Sequence, residues 1–89
     1  MNDRNIEAME ANIMASTRKV FIKIYNVKEI MEFVVHAGKV DGDVTVYRGK
    51  YVIDGKSLMG IFSIDLSDGV QVEYPEDAAE FAEYIKKFQ

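Results

Sequence analysis

The chain has 89 residues, of which 48% are hydrophobic, so we expect one small domain with one modest core. Its 15 acidic and 11 basic residues give a net charge of -4, and the basic residues are scattered, which argues against a nucleic-acid partner. With no cysteine and one histidine, a disulfide framework, thiol catalysis and a dedicated metal site are not expected. No apolar run reaches the roughly 18 residues of a membrane span and no secretory segment stands at the start, which favours a cytoplasmic protein.

Residues 1 to 17 differ in composition from the rest and are predicted to be an N-terminal extension, with the domain proper over residues 18 to 89. Within the extension, Ile6, Met9 and Ile13 recur at helical spacing. Isolated helices of this length are marginal in water, so a frayed tail is the alternative to a short amphipathic helix.

The first strand and the first helix are predicted from a change of hydrophobic period. Val20, Ile22 and Ile24 alternate with their neighbours, which indicates a strand. Asn26 is a favourable N-cap for the helix that follows, and Gly38 is predicted to end that helix in a left-handed conformation. The predicted apolar stripe of the helix comprises Val27, Ile30, Met31 and Val34, flanked by Phe33 and Ala37.

A hairpin and a short helix come next in the chain. Residues 43–47 and 51–54 predict two strands joined by a tight connection around Gly49. Ser57 is a natural N-cap for a short helix. This helix carries Leu58, Met59, Ile61 and Phe62.

The last strand and the last helix complete the domain. Val70, Val72 and Tyr74 alternate after a turn at residues 68–69, and Pro75 with the acidic residues after it is predicted to open the final helix. The apolar stripe of that helix comprises Ala78, Phe81, Ala82, Ile85 and Phe88. The predicted order βαββαβα, with helices covering one face of a four-stranded sheet, is an α+β two-layer sandwich.

The segment from residue 54 to residue 63 reads Asp-Gly-Lys-Ser-Leu-Met-Gly-Ile-Phe-Ser. It resembles the regulatory-serine segment of HPr, the phosphocarrier of the bacterial phosphoenolpyruvate:sugar phosphotransferase system, where the family pattern is roughly Lys-Ser-Ile-Met-Gly-Val-Met-Ser. Residues 37–50 are similar to the family's first helix end and first hairpin, and the resemblance covers about residues 18 to 89. It implies the HPr fold, an open-faced sandwich of four antiparallel strands with helices on one face.

The resemblance also implies where the family's phosphorylatable histidine would lie. That histidine opens the first helix in a Gly-x-His-x-Arg-Pro motif, and an ungapped count back from residues 37–39 puts it at Asn26, the arginine at Lys28 and the proline at Glu29. The lone pair of an amide nitrogen is delocalised into its carbonyl, so Asn26 cannot accept a phosphoryl group as imidazole does. Glu29 would add negative charge beside an incoming phosphate.

The only histidine, His36, is the alternative acceptor. It lies about 13.5 Å along the helix from Val27, near the C-terminal end, where the helix dipole disfavours a phosphoryl group. We expect it to be a solvated surface residue.

The resemblance assigns further residues to partner binding and regulation. Ser57 matches the serine that a dedicated kinase phosphorylates in some bacteria, although a serine that only caps the helix would look the same. Lys28 takes the place of the family's arginine. The family's exposed docking patch falls on Leu58, Met59 and Phe62, whose spacing is equally compatible with core packing, whereas Ile61 is the better core candidate.

The function that these expectations favour is a non-enzymatic, HPr-like regulatory or protein-binding protein related to the sugar phosphotransferase system. Its partners would be other proteins, namely phosphotransferase-system components, a serine kinase or a regulator, and neither a cofactor nor membrane insertion is expected. Two alternatives stay open. One is an active phosphocarrier that uses a displaced histidine, and the other is a structural or oligomerisation module on the HPr fold.

Overall fold

The computed structural model of the protein describes residues 16–89, so the short helix predicted within residues 1–17 lies almost wholly outside the described residues. The strands are β1 (Thr17–Ile22), β2 (Thr45–Arg48), β3 (Tyr51–Asp54) and β4 (Val70–Pro75). The α-helices are α1 (Val27–Gly38), α2 (Leu58–Phe62) and α3 (Ala79–Ile85), and 3₁₀ turns cover Leu66–Asp68 and Lys86–Phe88. This succession confirms the predicted order of strands and helices.

The four strands form one antiparallel sheet in the order β1-β4-β2-β3. Its register aligns four branched apolar side chains in one row across all the strands: Val20, Val72, Val46 and Ile53. Because successive side chains of a strand point to opposite faces, this row defines the inner face of the sheet. The helices pack on that face, which confirms the two-layer α+β architecture.

The core lies between the inner face and the helices. Helix α1 contributes Phe33 and Ala37, helix α2 contributes Ile61, and helix α3 contributes Phe81 and Ile85, all of them buried. Phe81 makes edge-to-face contacts with Phe33 at 5.8 Å and with Tyr74 at 5.4 Å between ring centroids. The helical layer is therefore joined to the centre of the sheet through aromatic rings.

Two predictions about helix ends are wrong in part. Gly38 is the last residue of α1, as predicted, but it is not left-handed, and the C-cap Lys39 has a right-handed φ of -84°. Pro75 is the last residue of β4 and does not open α3, which begins at Ala79 without a side-chain cap. The Glu76 N–H donates to the Ser16 carbonyl at 3.0 Å, so backbone pairing with the β1 end holds Pro75 in the strand, and the chain turns only after it.

The predicted stripe of α1 is also displaced. Val27 and Met31, which were expected on the buried side, are 60% and 49% exposed. Phe33 and Ala37, which were expected at its margin, are fully buried. The periodicity identifies apolar side chains at helical spacing, but the packing against the sheet decides which of them is central.

The outer face of the sheet carries a hydrogen-bonded carboxylate. Glu73 accepts hydrogen bonds from the Thr17 hydroxyl at 2.6 Å and from the Tyr47 hydroxyl at 2.7 Å. These bonds lower the pKa of Glu73 below its usual value, and the bond to Glu73 raises the pKa of Tyr47. Lys19 lies over the Tyr47 ring, 4.7 Å from its centroid.

The substitution Glu73→Gln is expected to destabilise the protein more at neutral than at acidic pH. The pKa of Glu73 is lower in the folded than in the unfolded state, so its ionised form adds stability above the unfolded value of about 4.3. That stability is lost as the pH falls through the folded value. Urea denaturation at pH 7 and pH 3 measures the difference between variant and wild type at each pH.

The control is Glu76→Gln. Glu76 makes one exposed ion pair with Arg18 at 3.6 Å, so this variant should differ little from wild type at either pH. If Glu73→Gln destabilised the protein equally at pH 7 and pH 3, the ionised Glu73 carboxylate would not be the source of the stability.

Candidate functional site

The start of α1 is closed by a reciprocal pair of hydrogen bonds. The Glu29 backbone N–H donates to Asn26 Oδ1 at 2.8 Å, and Asn26 Nδ2 donates to Glu29 Oε1 at 3.1 Å. Asn26 itself is extended, as an N-cap residue is, which confirms the predicted cap. Both polar atoms of the Asn26 side chain are therefore engaged with the first turn of the helix, in the manner of a capping box.

The surroundings of this cap combine positive charge with exposed apolar surface. Lys28 is exposed beside it. An open cleft of about 530 Å³ next to Glu29 is lined in part by Lys23 and Lys87. The side chain at the cap is a carboxamide, which is not a nucleophile at neutral pH, so this site can hydrogen-bond to a partner but cannot carry a covalent phosphoryl group.

His36 is half-buried, so the expectation of a solvated histidine is wrong. Its ring stacks on Tyr84 of α3, with centroids 3.7 Å apart and planes 12° apart. Burial raises the pKa of Tyr84 to about 12, with a smaller contribution from the negative charges of Glu32 and Glu29. The stack joins the last turn of α1 to α3.

His36 also lines a cleft of about 300 Å³ that contains carboxylates. Asp41, Asp77 and Glu80 line it, together with Lys39. Three carboxylates against one lysine give this cleft a negative balance, which opposes the approach of a phosphoryl group.

Ser57 caps α2, as predicted. Its hydroxyl oxygen accepts a hydrogen bond from the Gly60 N–H at 3.1 Å, and the residue is half-buried. A Cβ at Gly60 would lie 2.9 Å from Ile53 Cγ2 and 3.2 Å from Ser57 Oγ, so the glycine permits the close approach of α2 to β3. Lys56, next to the serine, donates from Nζ to the Val40 carbonyl at 2.9 Å.

Helix α2 separates its apolar side chains into a buried and an exposed set. Ile61 is fully buried, which confirms it as the core residue. Leu58, Met59 and Phe62 are 40%, 86% and 44% exposed, and Met59 is among the most exposed large apolar side chains of the described region. These three side chains are therefore not buried in the core and can contact a partner.

Helix α1 adds three exposed apolar residues that the sequence analysis had assigned to the core or overlooked. Val27, Met31 and Val35 follow one another at intervals of four residues, so they share one face of α1, and each is about half exposed or more. Helices α1 and α2 pack against each other. We call the combined surface the helical patch, and it comprises Val27, Met31, Val35, Leu58, Met59 and Phe62.

The signal for the α1 part of the patch was present in the sequence. Helix α1 carries two apolar rows, one through Phe33 and Ala37 and the other through Val27, Met31 and Val35. One helix in a two-layer fold can bury only one face, so a second apolar row indicates either another layer or a partner.

Within residues 16–89, no three histidine, cysteine or acidic side chains are grouped as they would be to hold a metal ion. None of the helices in that range is long and apolar enough to span a bilayer.

The fold and this placement of the helices define an HPr-like open-faced sandwich, and the solved structures agree. The crystal structure of the phosphocarrier protein HPr from Bacillus anthracis strain Ames has a TM-score of 0.65 and 22% identity, covering 85% of this chain and 99% of that one. The structure of HPr-C-His from Thermoanaerobacter tengcongensis has a TM-score of 0.64 and 23% identity, covering 81% of this chain and 92% of that one. No family model and no curated sequence matches the chain significantly. At these identities the likeness establishes the HPr fold.

Replacement of the α1 cap should destabilise the protein. Asn26→Ala removes the acceptor of the Glu29 N–H, and we expect the free energy of unfolding to fall by about 1 kcal/mol. Asn26→Asp keeps a hydrogen-bond acceptor at the same position, so its free energy of unfolding should fall much less. Denaturant titration of the three proteins measures the difference, and equal stability of the alanine and aspartate variants would contradict a capping role.

Proposed function

We propose that this protein is a non-catalytic member of the HPr-like proteins, one that binds other proteins through its helical patch and carries no phosphohistidine. The proposal rests above all on the helical patch itself. Six large apolar side chains are exposed on two adjacent helices of a small domain, and such clusters mark interaction sites. Partners of this surface would be phosphotransferase-system components, a serine kinase or a regulator.

The proposed loss of phosphoryl transfer is supported by the start of α1. The resemblance matches the family's histidine to Asn26, whose two polar atoms are bonded to Glu29. A phosphoryl group arriving there would meet the Glu29 carboxylate and no imidazole. Lys28 remains exposed beside this cap and is proposed to contact a partner as a cation.

The displaced-histidine alternative finds little support. One face of the His36 ring is covered by Tyr84, and the cleft that His36 lines is also lined by carboxylates. A phosphoryl donor would have to enter against that negative charge and next to a half-buried ring.

Ser57 is proposed as a regulatory site at the edge of the helical patch. The serine directly precedes Leu58 and Met59 in the chain. A phosphate on its hydroxyl would therefore place roughly two negative charges next to an apolar docking surface. It would also turn the hydroxyl oxygen that now accepts a hydrogen bond from the Gly60 N–H into an ester oxygen, which is a weaker acceptor, unless a phosphate oxygen took over the bond. Phosphorylation would therefore change which partners the patch can bind.

A phosphotransfer reaction tests the first part of the proposal. We expect no mass increase after incubation of the full chain with the first enzyme of a bacterial phosphotransferase system and phosphoenolpyruvate, because Asn26 offers no acceptor nitrogen. Intact-mass spectrometry provides the measurement, and HPr in the same reaction is the positive control. A rapid, acid-labile gain of one phosphate would overturn the proposal, and its disappearance in His36→Gln would assign the phosphate to that histidine.

A comparison of captured proteins tests the second part. Met59→Glu should reduce the recovery of the bound proteins by about tenfold or more, because a charge would have to be desolvated at the most exposed side chain of the patch. The matched control is Val52→Glu, the same kind of change at a 64% exposed residue of the sheet. Ser57→Asp should alter the set of captured proteins.

Quantitative mass spectrometry of pull-downs from native lysate gives the recoveries for the four proteins. Equal losses with Met59→Glu and Val52→Glu would count against the helical patch. An unchanged set of proteins with Ser57→Asp would count against the serine as a switch while leaving the patch intact.

A further inference from the structure

The outer face of the sheet, on the side opposite the helices, is organised in two rows that cross all four strands. The strand register gives one row as Lys19, Glu73, Thr45 and Asp54 in spatial order from β1 to β3. It gives the adjacent row as Phe21, Gln71, Tyr47 and Val52. Among the described residues, no helix or loop covers this face, so both rows are available for contact.

The ends of each row are chemically complementary. Lys19 stands at the β1 end of the first row and Asp54 at its β3 end, and both are exposed. In the second row, Phe21 is 53% exposed at the β1 end and Val52 is 64% exposed at the β3 end. The two ends of the first row thus carry opposite charges, and the two ends of the second row are both apolar. Such a surface can pair with a second copy of itself.

We propose that this outer face is a self-association surface, on which a second copy of the chain packs its own outer face about a two-fold axis parallel to the strands. That rotation exchanges β1 with β3 and β4 with β2 while leaving each row opposite itself. The backbone of Lys19 in one copy then lies opposite that of Asp54 in the other, and Phe21 lies opposite Val52. To reach Asp54, the Lys19 ammonium leaves the Tyr47 ring of its own chain, over which it lies at 4.7 Å from the ring centroid. Each contact occurs twice, as an isologous interface requires.

The centre of the face is suited to burial. Glu73 would lose water in such a contact, but both of its oxygens already accept hydrogen bonds, from Thr17 and Tyr47. The free energy needed to desolvate a carboxylate with these two hydrogen bonds is much smaller than for a carboxylate without partners. Phe21 is held in position because its ring lies directly across Gly69, where a Cβ would collide with it.

The orientation of the axis follows from the same residues. A two-fold axis perpendicular to the strands would exchange the two rows, so that Lys19 would face Phe21 and Asp54 would face Val52. That arrangement would bury two charges per copy against apolar groups without a partner, which is unfavourable. Electrostatic complementarity therefore selects the axis along the strands.

The size of the face limits the strength of the association. Four strands at about 4.8 Å spacing and two rows of outward side chains amount to roughly 250 Å² of flat sheet per copy. This is well below the ~800 Å² per partner of a standard interface, so the dimer should be populated only near millimolar concentration. Because its charge contacts join exposed side chains, added salt should weaken it.

Exchanging the two charges on the full-length chain tests the proposal. Sedimentation equilibrium from about 20 µM to 1 mM measures the dimerisation constant of each variant. Lys19→Glu and Asp54→Lys should each weaken dimerisation roughly tenfold, because each places two like-charge contacts in the dimer. The double variant should recover most of the wild-type association. Lys39→Glu, in the helical layer, makes the same charge change and should leave the dimerisation constant unaltered.

Two-dimensional NMR of the wild-type chain over the same concentrations gives a reading that does not depend on any variant folding. Concentration-dependent shifts should be confined to the residues of the two rows. A monomer at 1 mM without such shifts would overturn the proposal. So would concentration-independent contacts between residues 1–15 and Phe21 or Val52, because the chain's own N-terminal segment would then occupy the face.

Discussion

The sheet has two faces, and within the described residues helices cover only one of them. Every strand therefore sends alternate side chains into the core and into the open, and the inner row through Val20, Val72, Val46 and Ile53 carries the contact with the helices. Full burial of one such branched side chain contributes roughly 1.5–3 kcal/mol. A shift of one residue in any strand would move its part of that row to the outer face, so the register is strongly specified. The positions of the outer rows and of the helices follow from this constraint.

The sequence predicts well those features that depend on interactions between residues close together in the chain. Asn26 and Ser57 cap their helices because a short polar side chain can satisfy backbone N–H groups two or three residues ahead, wherever the helix packs. Boundaries that depend on distant partners were less predictable. Pro75 is suited to a first helical turn, but pairing of the neighbouring backbone with Ser16 keeps it in the strand. Gly38 is suited to a left-handed end, but α1 ends there in a right-handed conformation, with Lys39 as its C-cap.

The candidate site shows the same division. Ile61 could be told apart from Leu58 and Met59 on α2 because a helix of one and a half turns has room for one buried row. On α1 the two apolar rows have similar composition, and only the position of the sheet shows that Phe33 is buried and Met31 is exposed. A periodicity identifies the faces of a helix, whereas the choice between them is a tertiary property. His36 was misjudged for a related reason, since its stacking partner Tyr84 lies 48 residues later in the chain.

The cap of α1 connects stability with the proposed function. If Asn26 occupies the family's histidine position, the reactive group there has been exchanged for the side chain that best satisfies the helix start. An imidazole that must present a free nitrogen to a phosphoryl donor cannot also bond to the first turn as Asn26 does. Glu29 completes the cap from the other side, and its carboxylate suits the positive end of the helix dipole. Under the proposed function, the cap that stabilises the start of α1 also leaves it without a phosphoryl acceptor, while apolar side chains stay exposed on α1 and α2. The proposal thus separates two properties of one surface, because docking needs exposed apolar side chains whereas phosphoryl transfer needs an imidazole.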